Sequence, residues 1–510
     1  MARDLLHGHL PYTHIFDNKP PGIYFLFAAS ILLFGNQPLS IHIASSIAVL
    51  CGALSTFSLT RKIFDNQRRW IAFYTAYGYV LLTSHSGGLE ANTELFLIPL
   101  TTSAMALAWP TKRVVITERL RSWRFIFIGL LLGLALAIKP IAISDLSVVL
   151  AVTLIKEKRL LPLTYICFGA ALPLVAALIP YVYTSQVHAM YLSLFQANSR
   201  RIALLNRMSV LLHEATLDLV RLFPLPEVAL FAPIALLRQS GVPEAQRLTQ
   251  PVGVAFFWLI ANTSIAFLLG QLEGHFILPL VVPLLILNVL LIEYFLKLFT
   301  LRNRSKLFIW RLTVMIVFLI QGAEPVYLSA KIVTGSWSNP RSQRDADKAR
   351  TIGDFLRKRM GRERTAWIVS PEAPMEYFIA EAVPVTPYIF SQFLSNIEMN
   401  KVANVDWQLE VNNIIKSRPK FIVLQVPVTF SQLLTSFQVA SKVMINAKPQ
   451  PLDYPTSLFF AYVQAKVSEN YMQVAIVDGL TIYESKKSKK TTLGTNSMIG
   501  TFTRLLCDAR

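Results

Sequence analysis

The sequence predicts a polytopic α-helical membrane protein, with about ten spanning helices, an interfacial helix and a C-terminal extracytoplasmic α/β domain. Of its 510 residues, 53% are hydrophobic and 15% are charged, whereas about a quarter of an average soluble chain is charged. The apolar residues form long runs separated by short basic loops, which is typical of multi-pass membrane proteins. We therefore attribute the net charge of +19 to orientation signals and expect no nucleic-acid partner.

The apolar runs predict a transmembrane domain over residues 1–330. A spanning helix needs about 20 apolar residues, and the candidate spans are 39–60, 70–86, 94–110, 124–141, 142–155, 160–183, 222–237, 251–270, 276–296 and 308–330. The run 142–155 is short and could pair with its neighbour as a bent hairpin around Pro140. The run 23–34 fits an interfacial or re-entrant helix better than a span.

The basic residues are concentrated in alternate loops, and this asymmetry predicts the orientation of the chain. Loops rich in Lys and Arg face the cytoplasm. The opposite side then holds residues 1–22, 85–94, the neighbourhood of Lys139, 184–221 and 270–275. We therefore predict a multi-pass protein of the inner (plasma) membrane whose C-terminal domain is extracytoplasmic.

Beyond residue 331 the apolar runs shorten and turn residues appear. The stretches 365–370 and 420–426 are typical of buried strands, and 342–360 and 374–382 are typical of helices. Residues 471–485 predict a hairpin that turns at Asp478–Gly479. We predict an α/β domain over 331–485, followed by a basic, mobile tail over 486–510.

Charged residues at the extracytoplasmic membrane edge are functional candidates, because a charge placed there is costly. In PYTHIFDNKPPGIYFLFA (11–28), Asp17 and Lys19 precede two prolines, which fix the backbone that carries them. Lys19 can bind a phosphate as a point charge, or it can be a snorkelling lysine at a helix start. Lys139 follows a long uncharged run and allows the same two interpretations.

Three further groups lie on the same predicted side. Glu90 and Glu94 share a helix face if 89–96 is helical, and they either cap that helix or bind a metal, sugar hydroxyls or an amine. Arg200 and Arg201 oppose the positive-inside trend, and arginine suits phosphate oxygens. His275 opens a span as a structural residue or a ligand. The candidate catalytic residues are Asp17 and Glu94, and the candidate contacts to phosphate or sugar are Lys19, Glu90, Lys139, Arg200, Arg201 and His275.

A cationic outer site that is reachable from the bilayer suits a lipid-linked phosphate, with a carboxylate that activates an acceptor hydroxyl or amine. The sequence contains no Walker loop and no Rossmann fingerprint, so no nucleotide use is indicated. The scattered cysteines Cys51, Cys167 and Cys507 show no metal or disulfide spacing. No cofactor is assigned, and a divalent metal is left open.

Four segments resemble the GT-C superfamily of integral-membrane glycosyltransferases, in the bacterial branch that includes relatives of protein mannosyltransferases and the lipid A aminoarabinose transferase. They are ARDLLHGHLPYTHIFDNKPPGIYFLFA, LEANTELFLIPL, GLALAIKPIAI and GHFILPLVVPLL. The resemblance implies transfer of a sugar from a polyprenyl-phosphate carrier to a lipid, a surface glycan or a protein. It places Lys19 and Glu94 in the outer loops, and Lys139 with Arg200 or Arg201 at the carrier phosphate.

The chain departs from this family at its start. Members begin with a spanning helix and an acidic pair that supplies the catalytic base, and MARDLLHGHLPY begins after both. We therefore expect Met1 to be an internal methionine. Asp4 follows the motif and is not assigned as the base, and Asp17 could serve only if the local geometry allows. Two alternatives stay open, namely a transporter or flippase of lipid-linked sugars and an inactive membrane scaffold.

Overall fold

The computed structural model describes residues 1–64, 69–85, 88, 90–109, 118–204, 222, 225–238, 243–269, 274–298, 342–425 and 454–486. Before residue 300 its helices are α1 (Ala2–Leu6), α2 (Gly22–Phe34), α3 (Pro38–Ile63), α4 (Arg69–His85), α5 (Thr93–Ala108), α6 (Glu118–Ile138), α7 (Ile143–Glu157), α8 (Leu161–Tyr183), α9 (Val187–Tyr191), α10 (Ala197–Leu204), α11 (Leu225–Ala229), α12 (Ala232–Leu237), α13 (Pro243–Leu268) and α14 (Leu278–Leu298). Short 3-10 turns at Pro140–Ala142 and Gly274–Ile277 precede α7 and α14, and a π-helical turn at Leu192–Gln196 joins α9 to α10.

Within the described ranges, five helical segments have the length and apolar composition to cross a bilayer. They are Pro38–Ile63, Leu120–Ile138, Leu161–Tyr183, Thr249–Leu268 and His275–Leu298, and all five coincide with predicted spans. The predicted spans 70–86, 94–110 and 142–155 correspond to the shorter helices α4, α5 and α7. The predicted span 308–330 lies outside the described residues.

The predicted span 222–237 corresponds to the apolar helical stretch Leu225–Leu237, which is shorter than a full span. The segment contains two short helices, α11 and α12, separated at Leu230 and Phe231. Pro233 lies in the first turn of α12, where its ring and missing N–H are tolerated. The same proline inside a continuous helix would remove a hydrogen bond and clash with the preceding turn, which explains the break.

Helix α2 covers the run 23–34, which the sequence predicts to be an interfacial or re-entrant helix. It has 13 residues, and at about 1.5 Å per residue this gives a length of about 20 Å, against about 30 Å for the hydrocarbon core. The helix begins directly after Pro21 and ends at Phe34, and it is followed by Gly35, whose φ of 94° favours glycine. Leu32 and Leu33 near its end are exposed.

Helix α14 is the central helix of the bundle, and α8 is peripheral. Of the apolar window in each, 83% is buried in α14 and 22% in α8. Exposed α8 side chains such as Phe168, Val175 and Ile179 give this helix an apolar outer surface that suits lipid. Helices α6 and α8 pack closely, since a Cβ atom on Gly133 would lie 2.2 Å from the Ala170 carbonyl oxygen.

One end of the bundle carries basic residues that contact neighbouring helices. Arg121 on α6 pairs with Glu157 at the end of α7, and the Lys62 ammonium donates to the Ala106 carbonyl at 2.7 Å. These residues come from loops and helix ends that are predicted to face the cytoplasm. The opposite ends of α5, α6 and α7 carry the candidate site.

The C-terminal part contains a five-stranded sheet in the order β2-β1-β3-β5-β4. Its elements are α15 (Ser342–Met360), β1 (Thr365–Val369), α16 (Ala373–Ala380), β2 (Val383–Pro384), α17 (Gln392–Ser395), α18 (Ile397–Ala403), α19 (Trp407–Ser417), β3 (Phe421–Gln425), α20 (Tyr454–Asn470), β4 (Tyr471–Val477) and β5 (Leu480–Ser485). Strand β1 is parallel to β2 and β3, whereas β5 is antiparallel to β3 and β4. The strands predicted at 365–370 and 420–426 are β1 and β3.

The predicted hairpin turn is also present. Asp478 and Gly479 separate β4 from β5 and have φ values of 48° and 82°, and positive φ at both positions is what a type I′ hairpin turn requires. The location of this sheet outside the membrane stays a prediction. The predicted tail 486–510 lies outside the described residues, apart from Lys486.

A buried carboxylate lies behind β1. Glu376 on α16 is 1% exposed, and it accepts a hydrogen bond from the Ser370 hydroxyl at 2.8 Å. Burial raises the pKa of Glu376 to about 7, the Ser370 hydrogen bond opposes this rise, and the charge of Glu372 adds to it. This carboxyl group therefore changes its charge near neutral pH.

Candidate active site

The first loop, residues 7–21, surrounds Asp17 with hydrogen-bond donors. Asp17 is 4% exposed, and its Oδ2 accepts from the Tyr24 hydroxyl at 2.7 Å and from the Lys19 ammonium at 3.1 Å. Its Oδ1 accepts from the backbone N–H of Asn18 at 2.7 Å. With these donors in place, Asp17 is the counter-ion of Lys19 and is poorly accessible as a base.

Lys19 is partly open to its surroundings. Its side chain is 46% exposed, and its Nζ lies 5.2 Å from the centroid of the Phe390 ring. The Tyr12 hydroxyl donates to the Lys19 carbonyl, which fixes the backbone of the loop. Burial raises the pKa of Tyr12, so its phenol stays protonated as a donor. The ammonium is therefore held on one side by Asp17 and remains approachable on another.

The first loop also contacts the C-terminal part. The backbone N–H of Phe16 donates to the Pro387 carbonyl at 2.8 Å, and its ring meets that of Phe393 edge-on at 5.0 Å between centroids. The Asn18 amide donates to Asn198 on α10 at 3.0 Å. These contacts join the first loop to α10 and to the segment that follows β2.

Glu94 and Lys139 form a second carboxylate–lysine pair at the ends of α5 and α6. The Glu94 side chain is 0% exposed and that of Lys139 is 15% exposed. Glu94 also accepts a hydrogen bond from the Thr93 hydroxyl at 2.9 Å, and Lys139 Nζ lies 4.0 Å from the centroid of the Phe276 ring. The interpretation of Lys139 as a snorkelling lysine is wrong, because the ammonium is directed to a buried carboxylate.

Gly22 allows the two pairs to lie at the same end of the bundle. A Cβ atom at this position would lie 2.4 Å from the Ala137 carbonyl oxygen, so only glycine lets the start of α2 approach the end of α6 this closely. His275 directly precedes Phe276 and contacts its ring at 4.2 Å between centroids, and Phe276 in turn lies beside Lys139.

The expectation that Glu90 and Glu94 share a helix face is wrong. Asn92 is extended, with φ −70° and ψ 147°, and α5 begins after it at Thr93. Asparagine is one of the preferred residues at the position that directly precedes a helix. Glu90 precedes the helix, is exposed, and accepts a hydrogen bond from the Asn92 amide at 3.1 Å. Glu94, by contrast, points into the protein.

The two arginines lie on α10, which begins at Ala197. Arg200 is half-buried and comes two residues after Asn198, which contacts the first loop. The side chain of Arg201 is outside the described part of the chain. Over the residues that are described, no three His, Cys, Asp or Glu side chains are grouped so that they could hold a metal ion.

A further buried carboxylate, Asp145, was missed by the sequence analysis. It lies in the first turn of α7 and is 2% exposed. Its Oδ1 accepts from the Trp258 indole N–H at 2.6 Å and from the Asn262 amide at 3.4 Å. A signal was available, because an acidic residue inside an apolar run close to Lys139 is costly and calls for an explanation.

Comparison with known proteins gives one match to a protein family. Residues 18–183 match the family model of dolichyl-phosphate-mannose-protein mannosyltransferases, which confirms the predicted resemblance to protein mannosyltransferases over this part of the chain. The matched segment contains Lys19, Glu94, Lys139 and Asp145, whereas Asp17 lies directly before it. No curated protein matches the sequence.

Several solved structures are similar to the chain at low sequence identity, and two are described here. ArnT from Cupriavidus metallidurans, bound to undecaprenyl phosphate, is 12% identical, with 94% of this chain and 91% of that chain covered and a TM-score of 0.46. The archaeal oligosaccharyltransferase AglB from Archaeoglobus fulgidus, in complex with an inhibitory peptide and a dolichol-phosphate, is 10% identical, with 95% and 83% covered and a TM-score of 0.46.

Proposed function

We propose that this protein is a membrane glycosyltransferase that transfers a sugar from a polyprenyl-phosphate carrier to an extracytoplasmic lipid, glycan or protein acceptor. The observation that carries the proposal is the pair of lysines, Lys19 and Lys139, each held by a buried carboxylate at the same end of the bundle. The family match over 18–183 supports this reaction class, because the matched family is named for transfer from dolichyl-phosphate-mannose.

The carrier phosphate would bind between the two ammonium groups. Lys19 is the more exposed and would meet the phosphate first, while Lys139 is held beside Phe276 in a less polar setting. Electrostatic attraction is stronger where water is excluded. Because Asp17 and Glu94 already fix the ammonium groups, little reorganisation is needed when negative charge develops on the phosphate.

In the proposed reaction an acceptor oxygen or nitrogen attacks the anomeric carbon of the donor sugar. The bond from that carbon to the phosphate oxygen breaks, and its electron pair leaves with the polyprenyl phosphate, which Lys19 and Lys139 neutralise. Of the carboxylates in the site, Asp17 and Glu94 are buried and Glu90 is exposed. We therefore assign Asp17 and Glu94 to holding the lysines, and Glu90 to accepting the proton from the acceptor.

The test is a transfer assay with the purified full chain in lipid vesicles, a radiolabelled polyprenyl-phosphate sugar and envelope extract as the acceptor source. We expect a new glycosidic bond, and we expect K19M to lower kcat/KM by about 100-fold, the typical cost of losing one charge-stabilising donor. K416M, which changes an exposed lysine on α19, serves as the matched control and should retain activity.

Three results would contradict the proposal. Movement of the labelled lipid across the vesicle without a new bond would identify a transporter. Absence of both transfer and movement would identify an inactive scaffold. Equal activity of K19M and K416M would remove Lys19 from the site.

A further inference from the structure

We infer that Asp145 is a positioning residue for Lys139, and that it acts through a buried polar cluster which joins the two segments that hold this lysine. The cluster consists of Ser144, Asp145, Trp258 and Asn262, and we call it the polar clamp. This inference rests on the proposed function, since it concerns the lysine that would bind the carrier phosphate. Asp145 itself makes its contacts with Trp258 and Asn262.

The polar clamp holds the backbone segment that carries Lys139. Lys139 leaves α6 in an extended conformation, with φ −155° and ψ 132°, and the 3-10 turn Pro140–Ala142 follows. The Ser144 hydroxyl donates a bifurcated hydrogen bond to the Ile141 carbonyl, at 2.8 Å, and to Oδ1 of Asn262 on α13. Asn262 is thereby linked to the turn that begins directly after Lys139.

The same asparagine holds the segment on the other side of the lysine. The Asn262 amide donates to the Pro279 carbonyl at 3.3 Å, at the start of α14. Pro279 lies three residues after Phe276, whose ring centroid is 4.0 Å from Lys139 Nζ. One side chain therefore ties together the turn that presents the ammonium and the helix start that covers it.

Asp145 determines which way this asparagine is turned. Its Oδ1 accepts from the Asn262 amide at 3.4 Å and from the Trp258 indole at 2.6 Å. An acceptor at this position requires the NH₂ group of Asn262 to face Asp145 and Pro279, which leaves the amide oxygen for Ser144. A reversed amide would place oxygen against oxygen at two contacts.

The burial of the polar clamp indicates that it has a specific role. Ser144 is 5% exposed, Asp145 2%, Trp258 1% and Asn262 1%. Polar groups at such depth are costly unless their hydrogen bonds are made, and apolar residues could have joined three helices without that cost. What apolar side chains could not supply is the set of directed hydrogen bonds that links the Lys139 turn to the start of α14 through Ser144 and Asn262.

The first test measures backbone hydrogen exchange of the full chain in lipid nanodiscs. The amide of Lys139 donates to Ala135, and that of Ala142 donates to the Lys139 carbonyl. We expect D145L to accelerate exchange at these two amides by about tenfold, the effect of losing about one buried hydrogen bond. W258F should act in the same direction and serves if D145L does not fold, while D145N keeps the accepting oxygen and should resemble the wild type.

The matched control is N288L. Asn288 is also buried, lies on α14, and donates to the Leu225 carbonyl at 2.9 Å, but it is not part of the polar clamp. N288L should leave exchange at Lys139 and Ala142 unchanged. If D145L and W258F, like N288L, leave hydrogen exchange at Lys139 and Ala142 unchanged, the inference is overturned regardless of the transfer activity.

The second test is a double-mutant cycle on kcat, which separates positioning from a general loss of stability. D145L should lower kcat by about 30-fold in the wild-type background and produce no further loss in a K139M background, because the group that it positions is then gone. N288L should have the same effect in both backgrounds. Additive losses for D145L and K139M would overturn the inference. If the wild type transfers no sugar, the proposed function fails, and the exchange experiment still decides the role of the polar clamp.

Discussion

Replacement of Lys139 by methionine tests the buried ion pair directly. Glu94 is 0% exposed in this pair and Lys139 is 15% exposed, so K139M leaves a carboxylate inside the protein without its counter-ion. Removing one partner of a buried ion pair costs about 3–5 kcal/mol. The hydrogen bond from the Thr93 hydroxyl, at 2.9 Å, is present before and after the change and does not offset the loss. We therefore expect K139M to lower the free energy of unfolding by about 3–5 kcal/mol.

The second substitution E94Q should reverse most of this loss. Glutamine can still accept from Thr93 but carries no charge, so K139M/E94Q removes both charges and leaves no buried ion. Unfolding in mixed micelles of mild detergent and SDS measures the free energy for the wild type, both single variants and the double variant. Transfer activity should stay low in K139M/E94Q although its stability returns. The reasoning fails if K139M is as stable as the wild type, or if E94Q brings no recovery in the K139M background.

Three further predictions follow from other parts of the structure. G22A should lower the free energy of unfolding by about 1–3 kcal/mol and reduce transfer, because its Cβ would lie 2.4 Å from a backbone oxygen of Ala137. The control G253A places its Cβ at an ordinary contact distance of 3.6 Å, so it should be neutral or stabilising by about 0.5–1 kcal/mol. Equal melting temperatures of the two variants would contradict this prediction. The pKa of Glu376 is about 7 in the folded protein against an ordinary 4.5, so between these pH values the folded state keeps a proton that the unfolded state has lost. The free energy of unfolding should therefore fall by about 3 kcal/mol as pH rises from 4.5 to 7. Denaturation of the full chain at several pH values should show this fall, and E376Q should abolish it. E90Q should lower kcat by about 100-fold without a change in donor KM, and an unchanged kcat would remove Glu90 as the proton acceptor.

Much of the helical framework could be predicted from the sequence. Apolar runs are a direct consequence of a lipid environment, so the five span-length segments and the short helix α2 lie where the runs are. The break between α11 and α12 was missed because the apolar composition of 222–237 hides it, and only the position of Pro233 reveals it. Hydropathy averages over a window, whereas a proline acts through one missing donor.

The pairing of charges was less predictable. Asp17 and Lys19 are two residues apart, so their contact follows from the local loop. Glu94 and Lys139 are 45 residues apart, and their contact depends on how α5 and α6 are packed. Asp145 is a single acidic residue in an apolar run, and its partners come from α13, more than 100 residues later. Sequence reasoning can mark such residues as costly, but three-dimensional packing decides what they contact.

The contact between the N-terminal residue Arg3 and the C-terminal part has a consequence for biosynthesis. The Arg3 guanidinium donates to the Phe378 carbonyl, and the two residues are 375 positions apart in the chain. The ribosome therefore synthesises helices α1 to α14 before it reaches Phe378, the partner of Arg3. The contact between Lys19 and Phe390 likewise cannot form before Phe390 has been synthesised. A chain released early therefore carries the helices of the bundle but lacks the contacts that Arg3 and Lys19 make with the C-terminal part.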